Sequence, residues 1–341
     1  MSFRGFLSIG MMIVALVIAG CAPPATPVLQ APPAGAETPQ MEKLTLGLGY
    51  IPSVQFAPFY VAQEKGYFAE EGLDVTFQHG FETDFIKLVG TGELRFAVAS
   101  GEEVILARAQ GLPLVYVMTW YNRFPVVVFA LKETGIEQPK DLEGRRVGIP
   151  GLFGASFVAW KALVYAAGID ESKVTLESIG FTQAEAVSQG RVDAAIDYAV
   201  SGPVQLRLAG REVNVISVSD YIDLPSNGLV TNEATIAERP DLVQRVVRAT
   251  LRGLQYTLEH PDEAFAISIK SVPEAGGENE PVNRAIFDTV LDEWRPPEGA
   301  PLGWTDPQRW KRAARFMREM GLIDVDVDVN ALFTNRFVES P

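Results

Sequence analysis

Cysteine occurs once in the 341 residues, at Cys21, and histidine twice, at His79 and His260. A single cysteine excludes an internal disulfide and any thiolate metal site. The two histidines form no HExxH and no pair at ligand spacing, so no zinc centre is expected. Basic residues are also scarce, 29 Lys and Arg against 43 Asp and Glu, for a net charge of −14. Nucleic acid is held by clustered Lys and Arg, so it is not an expected partner. Long hydrophobic runs are missing too. The apolar stretch from Phe6 to Gly20 falls short of the ~20 residues that span a bilayer.

That stretch follows Arg4 and ends in "IAGC" (Ile18–Cys21), which suits a signal-peptide core leading into a bacterial lipobox. The expectation is a signal peptide over 1–20 and lipidation of Cys21, the only cysteine at the one position where an acyl chain needs it. Two or more acyl chains on one residue suffice for stable anchoring. Residues 21–41, beginning "CAPPATPVLQAPPAG", are rich in Pro and Ala and cannot bury a core, so they read as an extended tether. The implied location is the extracytoplasmic face of the cell membrane.

From Leu44 onward strand-like and helix-like segments alternate over short loops, which predicts an α/β fold with parallel-type sheets flanked by helices. "APFYVAQEKGYFAEEG" reads as a helix ending at Gly66 or Gly72, and "ETDFIKLVGTG" as a helix. "GELRFAVAS" (92–100) and "GRVDAAIDY" (190–198) nearly repeat each other, which predicts two similar lobes in one chain. The expected division is 42–122 plus 227–341 for the first lobe and 123–226 for the second, with a return crossing near "LPSNGLVTN".

Ligands in open α/β sheets sit beyond the carboxyl ends of strands. The loops there span 52–56, 79–85, 100–103, 119–123, 151–156, 181–183, 197–201 and 225–228. They hold no GxSxG, P-loop or GxGxxG, so no nucleophile elbow and no cofactor are expected. Their content is aromatic, Gly and Ser/Thr/Asn/Gln, suited to a cleft with an apolar body and a few orienting hydrogen bonds. Candidate ligand contacts are Gln55, Phe56, Glu82, Ser100, Trp120, Tyr121, Asn122, Phe153, Ser156, Thr182, Asp197, Tyr198 and Asn227. Glu82 and Asp84 serve equally as caps of a helix starting at Asp84. "DVDVDVN" (Asp324–Asn330) imitates the start of a calcium loop, but Val329 and Asn335 stand where that loop needs Gly and Glu.

Together, "GYIPSVQFAPFYVAQEKGYFAEEGLDV", "GELRFAVAS", "DLEGRRVGIPG" and "GRVDAAIDY", behind a lipobox, resemble the type II solute-binding proteins of ABC importers. The branch is the one named after thiamine-pyrimidine synthesis, and the similarity is greatest to its riboflavin- or pyrimidine-binding lipoproteins. The resemblance implies a two-lobed periplasmic-binding-protein fold, a ligand held between the lobes, and delivery to an ABC permease and its ATPase. It implies a binder and not an enzyme, since the Cys-rich iron motif of the branch's synthases needs more than one cysteine. The eight loops carry five acidic residues against His79 and Arg123, which disfavours a small anion. A flat neutral heterocycle stacked on aromatic faces fits better. Riboflavin uses more aromatic wall than one pyrimidine and is preferred; a thiamine-precursor pyrimidine is the alternative.

Overall fold

The computed structural model describes residues 41–338. The leader, Cys21 and the tether up to residue 40 lie outside the described residues, and so do the expectations placed on them. In "EKLTLGLG" the leucines alternate with smaller or polar residues. The segment folds as β1 (Glu42–Gly49), with Leu44, Leu46 and Leu48 buried. A single turn at Val54–Phe56 leads into α1 (Ala57–Glu64), α2 (Tyr67–Glu70) and β2 (Leu73–Gly80). Next come α3 (Glu82–Thr91), β3 (Phe96–Ala99), α4 (Gly101–Ala109) and β4 (Leu114–Thr119). The chain then forms β5 (Val126–Leu131), β6 (Arg146–Ile149), α5 (Gly154–Ala167), β7 (Thr175–Ser178) and α6 (Gln183–Ser188). After β8 (Ala194–Tyr198), α7 (Gly202–Leu208) and β9 (Val213–Ser217), β10 (Gly228–Asn232) follows. Helices α8 (Glu233–Glu238), α9 (Pro240–Glu259), α10 (Pro261–Ser271), α11 (Glu280–Trp294) and α12 (Pro307–Glu319) complete the body.

Among the described residues ten strands make two sheets, in the orders β2-β1-β3-β10-β4 and β7-β6-β8-β5-β9. The parallel pairing expected from the alternation is present in both sheets, and one or two antiparallel neighbours make each of them mixed. β1 pairs in parallel with β2 and β3, and β6 with β7 and β8. β10 runs antiparallel to β3 and β4, and β5 antiparallel to β8 and β9. The reason is connectivity. A parallel neighbour requires a crossover that carries the chain back to the same end of its own sheet. β5 and β10 arrive instead from the other sheet and enter at the opposite end. The near-repeat has a structural counterpart: β3 and β8 occupy the same place, between the first parallel strand and the antiparallel one.

Two further boundaries differ from the sequence reading. The first long helix is broken at Gly66, whose φ of +77° is left-handed and stops α1, so that α2 starts afresh. α3 begins at Glu82 with Phe81 as its extended N-cap residue, so Asp84 is not a cap. That places the Glu82 side chain in the first turn, facing the start of α4.

α9 carries Leu242, Val243, Val246, Val247, Thr250, Gly253 and Leu254 on one buried stripe, which packs against α1. This fixes the entry of α1, and with it the turn holding Gln55 and Phe56. At Gly228 a Cβ would stand 2.2 Å from the Met118 carbonyl oxygen and 2.2 Å from the Tyr116 hydroxyl. Only glycine lets β10 lie over that ring, and the strand's position sets that of Asn227.

Candidate ligand-binding site

The carboxyl ends of β1, β2, β4, β6 and β8 converge on one cleft with an empty volume of about 940 Å³, mouth included. One wall holds Tyr50, Gln55, Phe56, Phe81, Glu82, Trp120 and Tyr121; the other holds Phe153, Ser156, Phe181, Gln183, Asp197 and Tyr198. Asn227, just before β10, lies between them. Tyr50 is the one described non-glycine residue with a left-handed φ, +97°, and its backbone is clamped to Gly80 by hydrogen bonds of 2.6 and 3.1 Å. Such strain persists where the surroundings over-determine it, and it gathers at functional sites. Here it aims the Tyr50 ring edge-on at Phe181, 5.1 Å away.

A polar chain crosses the floor. The Tyr198 hydroxyl donates to Asn227 Oδ1 at 2.9 Å, and Asn227 Nδ2 donates to Glu82 Oε2 at 3.3 Å. Glu82 Oε1 accepts the Ser100 backbone N–H at 2.6 Å and its hydroxyl at 2.7 Å. Asp197 accepts the N–H groups of Tyr198 at 2.7 Å and of Gly202 at 3.0 Å. Burial raises the carboxyl pKa of Glu82 despite the Ser100 donors, and pushes that of Asp197 up to about 7 despite its two N–H partners. Behind Glu82, in the first turn of α4, Glu102 and Glu103 are buried, and both Glu102 oxygens lack a hydrogen-bond partner among the described residues. Burial, then repulsion from Glu82, lifts Glu103 to about 8. Glu102 goes well above the carboxylate range, chiefly through burial and also through repulsion from Glu82 and Glu103.

The aromatic residues form two layers. Trp120 is only 3% exposed, packed between Phe56 at 5.3 Å and Trp294 at 6.0 Å, with an indole N–H that has no acceptor. Tyr121 is buried beside it and donates to Gln55 at 3.3 Å. Phe81, Phe153 and Phe181 are 49%, 51% and 42% exposed and crowd together at the rim, with Phe81 stacked on Phe181 at 5.8 Å. The open ring faces therefore belong to the phenylalanines, while Trp120 reaches the cleft from the core.

The structure brings Gln55, Phe56, Glu82, Trp120, Tyr121, Phe153, Ser156, Asp197, Tyr198 and Asn227 into the lining. Ser100 stands one step behind, holding Glu82. Asn122 turns away; its Nδ2 donates to the Trp294 carbonyl at 2.7 Å and its carbonyl accepts from Arg309 at 2.6 Å. Thr182 caps its own turn through the Ile179 carbonyl at 2.7 Å. Sequence reasoning missed Tyr50, Phe81, Phe181, Gln183 and Ser201. Phe81, Phe181, Gln183 and Ser201 lie in loops already marked as cleft-facing, and Tyr50 directly follows the first strand. No sequence signal separates an aromatic at the rim from one in the core.

Comparison with known proteins follows the same lines. Residues 53–264 match the family described as NMT1/THI5 like. The riboflavin-binding protein RibY of Chloroflexus aurantiacus is 45% identical over 97% of each chain. The formylaminopyrimidine-binding protein of Halalkalibacterium halodurans is 31% identical over 81% of this chain and 85% of its own. A 4-amino-5-hydroxymethyl-2-methylpyrimidine phosphate synthase of Legionella pneumophila is 28% identical over 87% of this chain and 92% of its own. In fold, the periplasmic aliphatic sulphonate binding protein SsuA of Escherichia coli superposes with a TM-score of 0.68 over 85% of this chain and 91% of its own, at 15% identity. The chain has the fold of the periplasmic binding proteins, and it belongs to the NMT1/THI5 like family.

Proposed function

We propose that this chain is the riboflavin-capturing component of an ABC importer, held at the outer face of the membrane by lipid on Cys21. The observation that carries the ligand is the 45% identity to the RibY protein along 97% of the chain. The cleft agrees with it chemically. Three half-exposed phenyl rings suit a flat ring system, and aromatic stacking adds about 0.5–1.5 kcal/mol per pair beyond area burial. The Tyr198–Asn227–Glu82 chain and Gln183 offer donors and acceptors for ring carbonyls and chain hydroxyls. Closure of the two sheets about β5 and β10 would then trap the ligand for a permease and its ATPase.

A second reading is a thiamine-precursor pyrimidine, favoured by the formylaminopyrimidine-binding relative. We read the chain as a binder and not an enzyme, although related chains are named synthases. The RibY relative is a binding protein, and both cleft carboxyls are already engaged by the chain's own donors. Titration by calorimetry and fluorescence should give saturable heat and quenched flavin emission with riboflavin. Heat only with hydroxymethyl- or formylaminopyrimidine would hand the site to the second reading, and a chemically altered ligand recovered after denaturation would overturn the binder. For the anchor, Cys21→Ser should move the protein from the membrane pellet to the soluble fraction. A variant still pelleting after a high-salt wash would contradict lipidation there.

A further inference from the structure

We propose that the cleft admits an uncharged ligand and rejects its phosphate ester, because no cationic side chain lines it and the chain's own carboxyl groups occupy backbone donors at two of its loops. The inference rests on the reading that this cleft is the ligand site. Anions bind proteins where N–H groups at a helix start, or Lys and Arg side chains, are free to receive them. At the start of α4 the Ser100 N–H, with its hydroxyl, is already taken by Glu82 at 2.6 and 2.7 Å. At the end of β8 the N–H groups of Tyr198 and Gly202 are both taken by Asp197. No Lys, Arg or His is among the described residues lining the cleft. Lys87, beside the Phe81 loop, faces Asp84; Arg123 pairs with Asp220 at 3.0 Å; and Arg309, bonded to the Asn122 carbonyl, shares Asp223 with Arg312. His79 sits edge-on behind Phe56, with burial lowering its pKa, so it adds no positive charge.

The start of α5, at Gly154 and Ser156, lines the cleft without a side-chain cap. A helix terminus carries only about half an elementary charge. That serves a carbonyl or hydroxyl oxygen, but it does not offset a phosphate placed with two carboxyls in a partly desolvated cleft. The mouth is no better, since the exposed lining residues Phe81, Phe153 and Phe181 give it an apolar rim. A phosphate inside the cleft therefore gives up hydration and meets no cationic side chain. Where the external source is a flavin nucleotide, a phosphomonoester hydrolysis must come before capture by this chain.

The test is calorimetry on the whole protein with riboflavin, riboflavin 5′-phosphate and the neutral 5′-acetyl ester of riboflavin. The phosphate should bind at least about 100-fold more weakly than riboflavin, by the cost of an uncompensated buried charge. The acetyl ester should stay within about 10-fold of it. Glu82→Gln combined with Asp197→Asn should narrow the gap between phosphate and riboflavin by about 10-fold or more. Equal affinity for riboflavin and its phosphate would overturn the proposal, as would an acetyl ester as weak as the phosphate, which would make bulk the cause. If no flavin gives heat, the riboflavin reading fails on its own. The same comparison between hydroxymethylpyrimidine and its monophosphate then decides the charge rule, with equal affinities overturning it.

Discussion

Trp120→Ala should lower the free energy of unfolding by about 3–5 kcal/mol, the usual cost of emptying a buried aromatic site. The indole is 3% exposed and touches Phe56, Phe59, Tyr121 and Trp294. Its neighbours come from the turn before α1, from α1, from the end of β4 and from α11, so no single element can collapse into the void. Phe153→Ala should behave in the opposite way. Its ring is 51% exposed at the rim, so stability should change by less than about 1 kcal/mol. Ligand affinity should fall by about 1–3 kcal/mol through lost burial and stacking. Denaturant unfolding of both variants, with riboflavin titrations of each, checks the pair. A stable Trp120→Ala protein alongside a destabilised Phe153→Ala protein would show that the two aromatic layers have been assigned the wrong way round.

Raising the pH from 5.5 to 8.5 should destabilise the ligand-free chain, and Glu103→Gln should remove part of that dependence. A glutamate in the unfolded chain gives up its proton near 4.5, whereas folded Glu103 keeps it until about 8. Between those values the folded state binds the extra proton, so this group alone costs about 1.4 kcal/mol for each unit of pH. Its contribution is fully present below 4.5, is lost as the pH climbs, and levels off above 8. Glu102 is raised in the same direction, and Asp197, at about 7, adds to the lower part of the window. Glu42 works the other way: its Arg239 and Arg245 partners hold it at about 2, so its contribution is lost only in acid. Urea unfolding at pH 5.5, 6.5, 7.5 and 8.5 should show a shallower fall for Glu103→Gln and a more stable variant at the alkaline end. Equal slopes in the two proteins would mean that Glu103 ionises freely in the fold.

Much of this protein was legible in one dimension because the relevant signals are local. The alternation of leucines in β1, the Gly stops of α1 and α3, and the near-repeat that became β3 and β8 all depend on neighbours within a few residues. Charge balance is also a property of the chain itself, and the scarcity of Lys and Arg anticipated a cleft lined without them. The loops at the strand ends could be named for the same reason, and most of the residues chosen from them meet in one cavity. Three residues of those loops do not line it: Ser100 holds Glu82 from behind, Asn122 satisfies the end of α11, and Thr182 its own turn.

Tertiary structure alone decided the rest. β5 and β10 run antiparallel because they arrive from the opposite sheet, a fact about connections across about a hundred residues that no local period encodes. Glu82 reads in sequence as a helix cap or a ligand group. In space it fills the donors of Ser100, which lies on another element, and so closes a backbone site that a ligand would otherwise reach. The same holds for the aromatics. Phe, Tyr and Trp look alike as apolar letters, and only packing determines that Trp120 is sealed between Phe56 and Trp294 while Phe81, Phe153 and Phe181 keep open faces. Sequence fixes what each residue can do within its own turn of chain; which groups meet, and which are left facing solvent, depends on contacts between segments far apart along it.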